Sequence, residues 1–328
     1  MNSVYTDPAD QALWELVKDF IPEKVFDAHC HLFAPEFLPA DSGAAKKYGS
    51  CTAKDFFEVS KVFYGDRHLR GMFLAHPERN LADATIRNQV NQWLIGQLKD
   101  APGCGVGVYV SPMDTVEHLE ELAKNPGVRC FKPYYFTAQG DKDGQSDIAD
   151  FLPESAWIVA DRHGLAITLH MMKTLSPADP VNKAYIMSMA AKYPNAKLVL
   201  AHCGRGFATW QILQTAREYK QFPNIYYDMA AICESSAIFE VIRQSGIDHV
   251  MWGTDYPLAK FPCIPFCFAN VSTWLSRDQA GLEGRRIGML GLESLFAFYQ
   301  ASLMLDLTRQ EIEDIFYNNA IAVFGLEQ

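Results

Sequence analysis

The chain has 328 residues, of which 49% are hydrophobic and 21% charged, and its formal net charge is −10 at pH 7. This composition is typical of a soluble globular protein, and the acidic balance argues against nucleic acid or an anionic membrane surface as a partner. The length suits a large α/β barrel, so we expect a single domain over residues 1–328.

Two features of the sequence concern the environment of the protein. It has no apolar run of about 18 residues and no basic segment followed by an apolar core at its start, so we expect neither a membrane span nor a signal peptide. Its eight cysteines are scattered through apolar or strand-like stretches, as is typical of reduced, packed thiols in a cytoplasmic protein. Cys263 and Cys267 have no second pair in the sequence with which to form a zinc knuckle.

The N-terminal segment is predicted to form a helix that packs outside the core. Asp7 is a suitable N-cap and Pro8 a suitable first helical residue, and apolar residues follow at helical spacing up to Phe20. Residues 25–31 then form an apolar run that predicts the first strand. The long connection that follows, residues 32–60, contains a short predicted helix and is a candidate lid.

Beyond residue 60, apolar β-branched runs alternate with helical patterns. The predicted second to eighth strands are 71–75, 106–110, 128–133, 165–169, 197–201, 224–228 and 249–252. The predicted helices are 80–98 with Asn80 as N-cap, 114–124, 153–163, 180–193, 208–219 and 237–244. Strands that are apolar throughout and separated by helices indicate a parallel sheet buried on both faces. Their number predicts a distorted (β/α)8 TIM barrel with an N-terminal helix and extended loops after strands 1 and 8.

The chain after the eighth strand is predicted to hold a loop rich in proline and aromatic residues, 256–268, followed by helices. Thr308 and Glu311 have the spacing of a capping box for the last helix. Ile312 and Phe316 are expected to face the core from that helix.

Polar residues stand at the carboxyl ends of several predicted strands, where TIM barrels carry their chemistry. His29 and His31 are two residues apart, so their side chains share one face of the first strand. A pair with this spacing arises by chance about 0.25 times in such a chain. His170 and His202 follow two later strands and Asp255 follows the last. Nitrogen and oxygen ligands of this kind suit one divalent metal, zinc first, or manganese or iron.

Four segments resemble the amidohydrolase superfamily, and specifically its amidohydrolase-related branch. These are residues 26–31 (FDAHCH), 201–204 (AHCG), 252–257 (WGTDYP) and 319–326 (NAIAVFGL). That branch includes aminocarboxymuconate semialdehyde decarboxylase, aromatic acid decarboxylases, and sugar or dicarboxylate lactonases. The resemblance spans residues 25–326. It implies that one divalent metal is bound by His29, His31, His170 and Asp255, and that His202 stands beside it as a catalytic or supporting group.

The resemblance also raises the question of a second metal. Members with two metals use a carboxylated lysine as a bridge, and Lys132 on the fourth predicted strand is the only candidate. The resemblance favours a single metal, with Lys132 contacting substrate. Some lactonases of the branch work without metal, but the complete ligand set here favours a metal enzyme.

Three functions are considered. The first is a metal-dependent hydrolase of a lactone, amide or similar bond, in which Asp255 takes a proton from a metal-activated water and His202 stabilises the oxyanion. The alternative is a non-oxidative decarboxylase of an aromatic or unsaturated acid, in which either residue protonates the carbon that loses carbon dioxide. A barrel that only binds a ligand is disfavoured, because it would have no chemical reason to keep all four metal ligands.

The expected partner is a small, carboxylated substrate, and a homodimer is the default assembly. The predicted substrate-binding residues are Arg205, Lys132, Tyr134 and His76. Tyr135, Phe207 and Trp252 are candidate aromatic walls, although such residues more often serve packing. Arg67 and Arg70 precede the second strand, and we expect their side chains to lie in a solvated loop rather than in the pocket. Asp228 ends the seventh strand and has two open roles, a hydrogen bond in the site or a cap for the next turn.

Overall fold

Eight parallel strands form the barrel in the computed structural model, which describes residues 7–138, 140, 144–269, 271–276 and 287–327. The strands are Lys24–Leu32 (β1), His68–Ala75 (β2), Gly105–Val110 (β3), Val128–Pro133 (β4), Ala166–Leu169 (β5), Lys197–Leu200 (β6), Ile225–Asp228 (β7) and Val250–Met251 (β8). Each pairs in parallel with the next in sequence. The predicted (β/α)8 TIM barrel is confirmed.

The barrel closes through the residues that follow β8 rather than through that strand itself, which is two residues long. The Ala28 N–H donates to the carbonyl oxygen of Trp252 at 3.0 Å, and the Asp255 N–H donates to that of His29 at 2.9 Å. These bonds bring the chain after β8 alongside β1. The two segments that carry predicted metal ligands therefore run side by side.

Helices surround the strands and fill the C-terminal part of the chain. The α-helices are Pro8–Val17 (α1), Gly43–Tyr48 (α2), Ala53–Tyr64 (α3), Ala84–Gly96 (α4), Val116–Ala123 (α5), Glu154–His163 (α6), Pro180–Lys192 (α7), the short turn Ala201–Arg205 (α8), Thr209–Leu213 (α9), Ala216–Tyr219 (α10), Ser235–Ser245 (α11), Leu290–Leu305 (α12), Arg309–Glu313 (α13) and Asn319–Phe324 (α14). Short 3₁₀ turns lie at Pro35–Phe37, Arg79–Ala82, Gln97–Asp100, Tyr135–Thr137, Ile148–Asp150, Ser176–Ala178, Ile247–His249 and Leu258–Lys260, and a π-turn at Asp314–Asn318. None of the helices in the described part of the chain has the length and apolar character to cross a membrane.

Two predicted helices differ from those observed. Asn80 is not an N-cap, because a 3₁₀ turn intervenes and α4 begins only after Asp83, whose carboxylate accepts hydrogen bonds from the N–H groups of Thr85 and Ile86. The Asn80 amide instead donates to the Phe37 carbonyl oxygen. The helix predicted over 208–219 is two short helices, α9 and α10.

The predicted loop over 256–268 contains a strand that the sequence analysis missed. Ile264–Phe268 (β9) pairs in antiparallel fashion with Val271–Leu275 (β10) to form a separate hairpin. Pro265 lies within β9 and cannot donate a ladder hydrogen bond, which is why the segment did not resemble a strand. The capping box at Thr308 and Glu311 is present as predicted.

The interior of the barrel is filled at its amino-terminal end. Inward side chains of the strands pack against α14, as shown by the rings of Phe26 and Phe324, whose centroids are 5.9 Å apart. Arg70 is buried at this end and donates to the Gly103 carbonyl oxygen and the Tyr317 hydroxyl. It therefore lies neither in a solvated loop nor in a pocket, and the open end of the barrel is the carboxyl end.

The cap of α4 can be tested by replacing Asp83. Asp83→Ala should lower the free energy of unfolding by about 1 kcal/mol, because two N–H groups lose their acceptor. Chemical denaturation measures the change. Asp83→Asn keeps a capping oxygen and should cost much less; equal losses for the two variants would show that charge, not capping, stabilises this turn.

Candidate functional site

Three side-chain atoms converge at the carboxyl end of the barrel. The Nε2 atoms of His29 and His31 are 3.2 Å apart, and Asp255 Oδ1 lies 3.4 Å from His31 Nε2 and 3.7 Å from His29 Nε2. Ligands at about 2.0 to 2.2 Å from a tetrahedral metal are about 3.3 to 3.6 Å from one another. The spacing of the three atoms fits one cation between them.

The hydrogen bonds of the two histidines support this fit. His29 Nδ1 lies 2.9 Å from Asp228 Oδ2, and His31 Nδ1 lies 2.8 Å from the Ala75 carbonyl oxygen. An acceptor at Nδ1 places the proton of a neutral imidazole there and leaves a lone pair on Nε2. Two lone pairs and a carboxylate oxygen therefore face one another, and they repel unless a cation lies between them.

A buried carboxylate aligns the two ligand-bearing segments. Asp27 accepts hydrogen bonds from the His29 N–H at 3.2 Å, the Thr254 N–H at 2.9 Å and hydroxyl at 2.5 Å, and the Tyr64 hydroxyl at 3.0 Å. Its complete burial raises the pKa of Asp27 to about 6. Asp27 is a residue that sequence reasoning missed, and the shift in the β1–β2 register between Asp27 and Cys30 means that alternation along β1 does not relate its side chain to that of His29.

His202 lies on an unusual turn. Residues 202–205 of α8 have φ values of 55°, 53°, 70° and 62°, a left-handed conformation that residues other than glycine rarely adopt. Its ring centroid is 4.8 Å from that of His29. The His202 Nδ1–H donates to the Ala230 carbonyl oxygen, and its backbone N–H donates to Asp228 Oδ1, both at 2.9 Å. Asp228 therefore contacts both histidines, and it also accepts a hydrogen bond from the Ala230 N–H at 3.2 Å. Both of its open roles, the hydrogen bond in the site and the cap for the next turn, are observed.

His170 lies beside the three converging atoms rather than among them. Its Nε2 is 3.1 Å from the sulfur of Met172, and its ring stacks on Tyr134 with centroids 5.0 Å apart. Burial, followed by the positive charges around it, lowers the pKa of His170 well below the ordinary value. The ring is therefore neutral, as a metal ligand must be. Its role as the fourth ligand stays a prediction.

Lys132 is completely buried on β4. Among the described residues, its Nζ has no hydrogen-bond partner. Burial lowers the pKa of Lys132 to about 8, against the opposing effect of the Asp228 and Asp255 charges. Its charge is felt by His29 and His170, whose pKa values it helps to lower.

A cavity of about 570 Å³ opens above these groups. Its walls include the predicted residues His76, Tyr134 and Arg205, but not Lys132. The remaining lining residues are His31, Tyr48, Pro77, His170, Met172, His202, Phe207, Asp255, Pro257, Leu258, Phe261, Ser272, Thr273 and Trp274. Trp252 is fully buried instead, with its ring centroid 5.3 Å from that of Phe316.

Comparisons with known proteins bear on the family and the fold of this chain. The model of a family described as amidohydrolase matches residues 26–326. Among curated proteins, none matches the sequence.

A 5-carboxyvanillate decarboxylase from Sphingomonas paucimobilis has a TM-score of 0.61 and 12% identity, covering 93% of this chain and 100% of its own. A protein assigned as a 2-pyrone-4,6-dicarboxylic acid hydrolase from Pseudomonas putida has a TM-score of 0.60 and 14% identity, covering 94% and 100%. A 2,6-dihydroxybenzoate decarboxylase from Rhizobium has a TM-score of 0.59 and 11% identity, covering 93% and 99%. Identities this low show a shared fold.

The contact between Asp228 and His29 should affect metal binding. Asp228→Asn should weaken zinc affinity by roughly 10- to 100-fold, because His29 loses the carboxylate that fixes its tautomer and orientation. Competition with a chromophoric chelator measures the affinity. Asp248→Asn is a matched control, since Asp248 contacts the ring of His249 at 3.0 Å but is largely exposed. Unchanged affinity in Asp228→Asn would argue against the proposed ligand role of His29.

Burial of Lys132 should reduce stability near neutral pH. Its pKa falls from 10.5 to about 8 on folding, so the unfolded chain binds more protons between these values and stability rises with pH in that window. At pH 7, Lys132→Met should raise the free energy of unfolding of the metal-free protein by about 3 kcal/mol. Denaturant titrations at pH 7 and pH 9.5 measure this difference, which should shrink at the higher pH. A destabilised variant at pH 7 would contradict it.

Proposed function

Because this chain belongs to the amidohydrolase family, we propose that it is a metal-dependent hydrolase of a lactone, amide or similar bond in a small carboxylated molecule. The observation that carries this proposal is the convergence of ligand atoms from His29, His31 and Asp255, the last two of which line a cavity. A cavity of this size accommodates a small molecule.

The metal proposed for the site is a single zinc ion, with manganese or iron as alternatives. His29, His31 and Asp255 would hold it, with His170 as the proposed fourth ligand. This mixed nitrogen and oxygen ligand set is common in catalytic zinc sites. When bound, the ion would supply a more acidic water and polarise a substrate carbonyl.

Asp255 is proposed to transfer the protons, and His202 to stabilise the negative charge that develops on the substrate oxygen. Although burial opposes ionisation, the neighbouring histidines, His202 first, hold the pKa of Asp255 below its ordinary value. The carboxylate is therefore available as a base for the attacking water and can return the proton to the leaving group. His202 donates Nδ1–H to a backbone carbonyl, so its Nε2, when protonated, is free to stabilise a developing oxyanion.

Arg205 is the proposed partner of the substrate carboxylate. Its guanidinium lines the cavity and is partly buried, with one N–H group donating to the Met172 carbonyl oxygen. The planar guanidinium matches a carboxylate in a two-point hydrogen bond, which weak solvation inside a cavity strengthens.

Decarboxylation of an aromatic or unsaturated acid is the second candidate function. The aromatic stacking of Tyr134 on His170 and of Phe207 on His202 favours it, because a flat substrate ring fits between such faces. In this reaction Asp255 or His202 would protonate the carbon that loses carbon dioxide. Solved structures with the same fold are named for both kinds of reaction.

The proposal predicts about one equivalent of zinc in the purified protein and loss of most of it in His31→Ala, because one of the three converging atoms is removed. Elemental mass spectrometry measures the content. His170→Ala tests the fourth ligand, and His163→Ala is the control, since that side chain pairs with Glu120 on the surface.

The same preparations identify the reaction. Ring opening of lactones, followed by the acid released, is expected from the zinc-loaded protein and should fall at least 100-fold in His31→Ala. Release of carbon dioxide from aromatic acids instead would establish the second candidate. Activity that survives complete metal removal would refute both metal-dependent readings.

A further inference from the structure

The β9–β10 hairpin forms one side of the cavity and presents two different faces. Residues opposite one another in an antiparallel pair share a face, so Trp274 and Ser272 lie on the same face as Cys267. These residues face the barrel, where the Cys267 thiol donates to the Phe207 carbonyl oxygen at 3.2 Å. Phe268, on the other face, is 73% exposed.

An aromatic wall connects the hairpin to the site histidines. We define it as Phe207 and Trp274, both of which line the cavity. Their rings meet edge to face, with centroids 5.6 Å apart and planes at 88°. Phe207 in turn stacks on His202, with centroids 5.6 Å apart and planes at 22°. The wall thus extends from the rim of the cavity to a residue beside the converging ligand atoms.

We infer that Trp274 is a specificity-determining residue, against which the flat ring of a π-conjugated substrate packs while Arg205 binds its carboxylate. The inference rests on the proposed function for its carboxylated substrate and for the cavity in which it binds. Arg205 and Phe207 both line the cavity, so a cationic group and an aromatic group are available to the same bound molecule. A planar unsaturated ring gains stacking energy at such a wall, whereas a puckered saturated ring of the same size and charge does not.

Two simple acids test the inference, because benzoate and cyclohexanecarboxylate have the same charge and similar size but differ in planarity. Their affinities for the zinc-loaded protein are measured by ligand-observed NMR titration. Wild type should bind benzoate roughly 3- to 10-fold more tightly than cyclohexanecarboxylate. Trp274→Leu should bring this ratio close to one, and Trp274→Phe should keep most of it.

Phe268→Leu is the matched control, since it removes an aromatic ring from the exposed face of the same hairpin and should leave the ratio unchanged. Equal affinities in wild type, no detectable binding of either acid, or an unaltered ratio in Trp274→Leu would each overturn the inference. Trp274→Phe shows whether a collapsed ratio reflects loss of an aromatic face or loss of the hairpin fold.

The binding ratio is independent of turnover, so failure of the proposed function is distinguishable from failure of the inference. A protein that binds benzoate preferentially through Trp274 but hydrolyses no lactone would retain the inference and lose the proposed reaction. A protein that binds benzoate and cyclohexanecarboxylate with equal affinity, and turns over saturated and unsaturated substrates with equal efficiency, would retain the proposed reaction and lose the inference.

Discussion

The structure depends on the hydrogen bonds that close the barrel between β1 and the chain after β8. The Asp255 N–H donates to His29 and the His31 N–H donates to Tyr256, so the backbone contacts that complete the cylinder also set the three converging atoms beside one another. Asp27 reinforces this seam with bonds to both segments. A barrel that failed to close would therefore lose its site as well.

The strands and the residues at their ends could be predicted from the sequence, because each strand is a short apolar run and a polar residue at its carboxyl end breaks the run. His29 and His31 could be predicted as site residues from their spacing together with the polar residues that end the later strands. The orientation of the His202 side chain could not be predicted, because it depends on a left-handed turn and on the hydrogen bond from the His202 N–H to Asp228, 26 residues further along the chain. Nor could the two strands of the hairpin be predicted, since few local signals distinguish a half-exposed strand from a loop.

Packing decided other points that sequence patterns left open. Trp252 and Phe207 are both aromatic residues near strand ends, yet Trp252 is buried beneath the site and Phe207 lines the cavity. Trp252 packs against Phe298 and Phe316, whereas Phe207 follows the left-handed turn and stacks on His202. Sequence periodicity does not specify where a side chain points after an irregular turn. Asp83 and Asn80 present the same difficulty at a helix start, where two residues three positions apart could each serve as a cap.

Electrostatics inside the barrel favour two neutral histidines beside one ionised carboxylate. Burial lowers the pKa values of His29 and His170 well below the ordinary value, and Asp255 remains a carboxylate among them. Lys132 adds a buried ammonium without a hydrogen-bond partner among the described residues. The interior thus combines strong ligand atoms with a buried ammonium whose charge is partly offset by the Asp228 and Asp255 carboxylates, an arrangement that favours chemistry over stability.

The left-handed turn at residues 202–205 sets a limit on how this protein can evolve. Residues other than glycine in this conformation cost about 1 to 2 kcal/mol each, and three of the four are His202, Cys203 and Arg205. Selection for thermal tolerance alone would favour glycine at these positions. The same replacements would remove the imidazole and the guanidinium from the cavity, so robustness and chemistry compete for the same few residues.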